Sequence, residues 1–283
     1  MRPMIIAHRG ASARAPENTA AAFGAAIEDG ADMVEFDVRW SADAEPVILH
    51  DATLERTTDG HGPLAALTLG DLRRLDAGAW FGKRFRAERV LTLREALAIL
   101  GPRIRVNIEL CADVAPPAGF ESRLVRLVED ARLPEDPLYS SFDFSLLTTL
   151  RAGCPAARIA PLFRTAGQAL LRRVLELRPA AAHPRRHLVT PSLLRRLHGE
   201  GIRVHAWTAN TAREARRLLR LGVDGIFTDD PARLIRLRSD EAKRQAEKLR
   251  RAASPGRRPG RPPGPDAGGA AAPAGRAGSR RRP

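Results

Sequence analysis

Three observations predict an α/β chain folded as a TIM (β/α)8 barrel, with a small insertion after the second strand and a disordered basic C-terminal tail. They are eight short apolar segments, amphipathic stretches between them, and polar residues paired two apart toward the segment ends. Parallel neighbours need crossover helices, so strands that alternate with helices favour a closed parallel barrel. Strands are expected near Met4–Ala7, Met33–Val38, Arg105–Leu110, Leu138–Ser141, Arg158–Leu162, Ala180–His183, Arg203–Trp207 and Gly225–Thr228. Helices are expected over Asn18–Asp29, Phe120–Ala131, Phe144–Ala152, Ala166–Leu177, Pro191–Glu200 and Ala212–Leu221, with Leu93–Leu100 before the third strand.

Taken in order, the first strand is an apolar run that ends at His8, and Asn18 is a good N-cap for the helix that follows. In the second strand Val34, Phe36 and Val38 alternate with Glu35 and Asp37; the apolar set packs against helices, so both carboxylates line the barrel. The span Ser41–Arg89 exceeds what a strand-to-helix connection needs. It carries Trp80-Phe81 and turn signals such as Asp59-Gly60, and reads as an insertion over or beside the barrel mouth. On the third strand Asn107 and Glu109 share a face, as do His205 and Trp207 on the seventh. His183 ends the sixth strand and is a candidate for the rim, whereas His61, His187 and His198 read as packed or surface residues. Past the body, Ser239–Arg251 reads as a charged helix with Ser239 as its N-cap, and from Ala252 the chain is almost all Ala, Gly, Pro, Ser and Arg. Such a segment cannot bury enough apolar surface to offset its ordering entropy. The expected organisation is a barrel over 1–237 with the insertion at about 41–89, a helical extension over 238–251, and a tail over 252–283.

Composition narrows the function classes. The net charge is +14, and the stretch from Arg238 onward alone carries 11 Arg and 2 Lys against 4 acidic residues. The tail lacks interleaved aromatics, which argues against recognition of bases by stacking and leaves weak contact with anionic surfaces. Two cysteines, Cys111 and Cys154, make no disulfide framework and suit a reducing, cytoplasmic setting. The apolar run before His8 is too short for a signal-peptide core, and no stretch reaches the ~20 apolar residues of a membrane span. Oligomeric state is not legible.

The chemistry concentrates in the first sixty residues: His8-Arg9-Gly10, Pro16-Glu17-Asn18-Thr19, Glu35-Phe36-Asp37 and His50-Asp51. Glu35, Asp37 and Glu109, at the mouth end of their strands, can converge on one hard cation, and all-oxygen ligation favours Mg²⁺ or Ca²⁺. Glu-x-Asp alone is usually a solvated strand face, and His-Arg-Gly alone is also weak. Their joint occurrence in order is what carries weight.

These motifs, together with Leu54-Glu55-Arg56-Thr57-Thr58, Asn107-Ile108-Glu109, Ser141-Phe142, Trp207-Thr208 and the run Gly222 to Asp229, resemble the glycerophosphodiester phosphodiesterase family up to about residue 235. The resemblance implies a TIM barrel, a divalent metal on Glu35, Asp37 and Glu109, acid–base work by His8 and His50, and phosphate contact by Arg9. Glu17 and Trp207 are further candidates for substrate binding. The chain departs from the family at Cys111, where a Lys is usual; Arg164, just past the fifth strand, is a candidate substitute for that cation. Leu91 is a smaller departure, where the family tends to have Pro. The expected reaction is metal-dependent hydrolysis of glycerophosphodiesters to glycerol 3-phosphate and an alcohol. The nucleophile, water or the neighbouring glycerol hydroxyl, stays open, as does which histidine is base and which acid. The alternatives are a lysophospholipase D-like lipid phosphodiesterase, with the Trp80, Phe81 and Phe85 region widening the mouth, and a catalytically impaired phosphate-binding barrel.

Overall fold

Nine strands are present among the described residues: β1 (Met4–His8), β2 (Met33–Trp40), β3 (Pro46–Ile48), β4 (Arg105–Leu110), β5 (Leu138–Ser141), β6 (Arg158–Phe163), β7 (Ala181–Pro184), β8 (Arg203–Ala206) and β9 (Gly225–Thr228). All but β3 pair in parallel in the order β1-β2-β4-β5-β6-β7-β8-β9, and β9 returns to β1, so the sheet closes. The helices are α1 (Ala20–Glu28), α2 (Leu69–Leu72), α3 (Leu93–Leu100), α4 (Phe120–Asp130), α5 (Phe144–Gly153), α6 (Gln168–Glu176), α7 (Pro191–Gly199), α8 (Ala212–Leu221) and α9 (Pro231–Ala253). This computed structural model describes residues 2–253. The chain divides into two units between Arg244 and Gln245; the described part of the second, 245–253, is the end of a helix.

The strands are buried on both faces, which is why they read as near-continuous apolar runs. Their outward side chains, with α1 and α3 to α8, form two large apolar clusters: Phe23, Val34, Phe36, Leu97 and Ile108 in one, Ile5, Val174, Leu197, Val204 and Leu218 in the other. Ile6, Met33, Leu138, Ala160, Ala181 and Phe227 fill the barrel interior. Helix starts are set locally. Thr92 with Glu95 and Thr211 with Glu214 form capping boxes, and Gly222 takes the left-handed C-cap of α8.

Three local expectations are corrected. Strand β3 was not foreseen; it lies antiparallel on β2, and its first residue is Pro46, which an edge position tolerates. The N-cap of α1 is Thr19, not Asn18. Asn18 takes a positive φ of 60° and turns its amide to Asp37 instead, a backbone region that Asn visits more readily than most residues. Ser239 is likewise no cap: α9 begins at Pro231, the Asp230 carboxylate accepts from the Arg233 N–H, and the Ser239 hydroxyl donates to the Ile235 carbonyl within the helix. Arg238 is buried and paired with Asp32, which ties α9 to the start of β2. The expected tail lies, from residue 254 on, outside the described residues. Among the described residues no helix is long and apolar enough to cross a membrane.

The span between β3 and α3 has a small core of its own, built from Val47, Leu49, Leu54, Leu64, Leu72, Ala77 and Val90. Its Trp80, Phe81 and Phe85 rings stack edge-on in series at 5.5 Å, and Trp80 is 42% exposed. The Arg84 guanidinium donates to the Arg14 carbonyl and the Glu88 carboxylate accepts from the Ala21 N–H, so this cluster stands beside the β1–α1 loop.

Candidate active site

Strand register assembles the site. His8 of β1 stands level with Glu35 of β2, Glu35 with Asn107 of β4, and Asp37 with Glu109. The turn after β1 makes this possible. Arg9 and Gly10 both have positive φ, and a Cβ on Gly10 would meet the Ala22 backbone at 2.7 Å, so only glycine lets the loop lie on α1.

Each motif histidine is held by a carboxylate. His8 Nδ1 lies 2.7 Å from Asp229 Oδ1, and Asp229 Oδ2 accepts from the Asn210 amide at 2.5 Å. Burial works against the Asp229 charge, but the His8 and Asn210 hydrogen bonds and the Arg9 charge outweigh it and hold its carboxyl below the usual range. His50 Nδ1 lies 2.5 Å from Asp51 Oδ1. The Asp51 carboxyl is pushed down to about 2, chiefly by the hydrogen bonds from Arg56. Arg56 also grips Glu17 through both terminal nitrogens at 2.8 Å. Glu17 accepts from Arg9 at 2.8 Å, and Arg9 Nε lies 3.2 Å from Asp37. One chain of charge-assisted contacts thus runs from His50 through Asp51, Arg56, Glu17 and Arg9 to Asp37.

The carboxylates at its end are under-partnered. Glu35 and Asp37 are each 1% exposed; Glu35 Oε2 accepts from the Arg9 N–H at 3.0 Å and Asp37 Oδ2 from Asn18 at 2.9 Å. Glu35 Oε1 and Asp37 Oδ1 have no hydrogen-bond partner among the described residues. Burial first, then repulsion from Asp37 and Glu109, drives the Glu35 carboxyl well above its ordinary range. Burial and Asp37 push Glu109 up to about 8, against the opposing charges of Arg9, Arg164 and Arg39. Buried carboxylates that repel one another and keep orphan oxygens have the chemistry of a cation site. Asp37, Glu109 and Cys111 each offer an atom within 4.8 Å of the others, a tighter group that does not include Glu35. Burial, Asp37 and Glu109 push the Cys111 thiol up.

The remaining candidates divide. Arg164 lies over the Phe142 ring at 4.2 Å and near the Trp207 ring at 5.9 Å, and its charge reaches Glu109. Trp207 stacks edge-on with Phe142 and donates its Nε1 hydrogen to the His183 carbonyl. His183 and His205 do not reach the mouth. Both are fully buried and stacked on each other with 3.2 Å between ring nitrogens, and His183 packs edge-on against Phe227. Asn107 is also buried, donating to Ser140. Sequence reasoning left Arg39, Arg56 and Asp229 without a role. Arg39 could have been found by its spacing, two residues after Asp37 on the same strand; it donates to the His50 carbonyl at 2.8 Å and to Asp113. Nothing local foretells that Asp229 meets a histidine 221 residues away.

The chain is similar in sequence and in fold to known proteins. The model of the glycerophosphoryl diester phosphodiesterase family matches residues 8–233. A glycerophosphodiester phosphodiesterase of Caldanaerobacter subterraneus is 35% identical over 238 residues, covering 84% of this chain and 98% of its own length. A phosphodiesterase of Oleispira antarctica, solved in complex with the product sn-glycerol-3-phosphate, superposes with a TM-score of 0.76 at 33% identity, over 83% of this chain and 96% of its own. The glycerophosphodiester phosphodiesterase of Agrobacterium tumefaciens gives a TM-score of 0.70 at 28% identity, over 81% and 97%. The chain belongs to the glycerophosphoryl diester phosphodiesterase family and is an enzyme of the phosphodiesterase class.

Proposed function

We propose that this site hydrolyses glycerophosphodiesters to glycerol 3-phosphate and an alcohol, with His8 and His50 as the proton-transferring pair. The observation that carries the reading is the pair of carboxylate-held histidines set around buried carboxylates with orphan oxygens. With Nδ1 engaged, each ring keeps Nε2 for proton transfer, one taking a proton from the nucleophile and the other giving one to the leaving alkoxide. Arg9, held by Glu17, supplies a cation to the phosphate, and Glu17 and Arg56 fix its position. Arg164 supplies the cation that position 111 lacks, and Trp207 and Phe142 hold its guanidinium in place. A divalent metal on Glu35, Asp37 and Glu109, Mg²⁺ or Ca²⁺ where only oxygens bind, would neutralise the non-bridging oxygens of the diester. The two unpaired cysteines favour a cytoplasmic setting.

The cluster of exposed Trp80 with half-buried Phe81 and Phe85, beside the β1–α1 loop, favours a second reading, in which an acyl chain of a lysophospholipid rests there. Turnover of a panel of glycerophosphodiesters and lysophospholipids, with and without a chelator, tests both. Glu35→Gln is expected to abolish turnover while leaving the thermal midpoint close to that of the parent. Full activity in that variant, or after exhaustive chelation, would overturn the metal-dependent reading.

A further inference from the structure

Cys111 follows β4 directly, two residues beyond Glu109, and its backbone N–H donates to the Val38 carbonyl. The strand pairing therefore continues to it, and its side chain keeps the inward face of Glu109. Its Sγ, an Asp37 oxygen and a Glu109 oxygen all lie within 4.8 Å of one another. A second observation is independent of the sulfur: Asp37 is 1% exposed, and its Oδ1 has no hydrogen-bond partner among the described residues. Cys154 makes the contrast. It caps α5 and packs against the outer apolar cluster, and among the described residues no such carboxylate group surrounds it.

We propose that Cys111 is itself a metal ligand, its thiolate joining Asp37 and Glu109 on one divalent cation. This deepens the carboxylate-site reading above and rests on it. On binding, the S–H bond of Cys111 breaks, a sulfur–metal bond forms, and the proton leaves to solvent; no electron is transferred. The consequence is a change of metal. Mg²⁺ and Ca²⁺ take oxygen ligands, whereas a thiolate beside carboxylates selects borderline ions such as Zn²⁺ and Co²⁺, with a sulfur bond of about 2.3 Å for zinc. The residue that departs from the family pattern would thus set which metal the site takes. Arg39 and Arg164, whose charges both act on Glu109, leave cationic groups at the mouth when position 111 is a ligand.

The test is a Co²⁺ titration of the metal-stripped full-length chain, followed by absorption. The parent should develop visible d–d bands together with a near-ultraviolet sulfur-to-cobalt charge-transfer band. Cys111→Ser should keep the d–d bands and lose the charge-transfer band, and Cys154→Ser should behave as the parent. Zn²⁺ affinity of Cys111→Ser should fall at least about 10-fold, the lower end of the loss from removing even an outer-sphere partner, with Mg²⁺ affinity unchanged. A charge-transfer band that survives in Cys111→Ser, or d–d bands without it in the parent, would overturn the proposal and leave the carboxylate site standing. A parent that binds no Co²⁺ and no Zn²⁺, and whose turnover ignores chelation, would overturn both.

Discussion

At the scale of the residue, the site repeats one device. A histidine at the mouth has its Nδ1 engaged by a carboxylate, Asp229 for His8 and Asp51 for His50, and each carboxylate is in turn held by a polar partner, Asn210 or Arg56. Fixing the ring and its tautomer is what a proton-transfer group needs. His8→Ala and His50→Ala should each lower kcat by at least ~10²-fold, the scale of general acid–base catalysis. Steady-state turnover of a glycerophosphodiester checks this, and near-parental turnover in either variant removes that histidine from the mechanism. Arg164 makes a second prediction. Its guanidinium lies on Phe142 close to Trp207, and its charge is felt at Glu109. Losing a preorganised cation from a developing phosphoryl charge should lower kcat by roughly 10²-fold in Arg164→Ala. An inert variant would show that the position usually held by Lys has no functional replacement there.

At the scale of the element, the strands determine which groups meet and which are shut in. One period-two face carries Glu35 and Asp37, and the parallel register brings Glu109 level with Asp37. The same alternation sends His205 inward from β8, where it meets His183 of β7 instead of the mouth. Gly225 makes room for this pair: a Cβ there would come within 2.8 Å of the His205 ring. Burial pushes His183 well below the ordinary histidine range, with the neighbouring His205 adding to it, and burial pushes His205 down to about 4. Unfolded histidines protonate near 6.5, so the neutral pair contributes its full stability above about pH 6.5 and loses it as pH falls through about 4. The thermal midpoint should fall across that window. His205→Gln should be less stable than the parent near neutral pH yet lose less between about pH 6.5 and 4. Parallel curves for the two proteins would show that the pair does not govern acid sensitivity.

At the scale of the whole molecule, charge and chemistry are separated along the chain. The site-forming residues fall between His8 and Asp229, and beyond them the stretch from Arg238 onward carries 11 Arg and 2 Lys against 4 acidic residues. Exposed cations act on anionic surfaces through screened attraction that fades beyond ~10 Å at 0.1 M salt. Deleting residues 254–283 should leave turnover of soluble substrates unchanged and weaken binding to anionic vesicles, most clearly at low salt. Co-sedimentation at two ionic strengths, beside the turnover assay, checks it, and a large fall in turnover would mean that this segment acts at the site.

By itself the sequence determined the barrel, most strand and helix limits, and the set of groups that could do the chemistry. These follow from local signals: apolar runs the length of a strand, amphipathic stretches between them, and the two-residue spacing of Glu35 and Asp37. Strand β3 escaped because three residues are too few to show a period. What only the tertiary structure decided is which partner each of those groups meets. Asp229 closes on His8, Arg56 reaches Glu17, and His205 turns to His183, each across a separation that no local pattern encodes. The reason is physical. Periodicity assigns a side chain to a face, but the closure of the barrel and the register between strands assign it a neighbour.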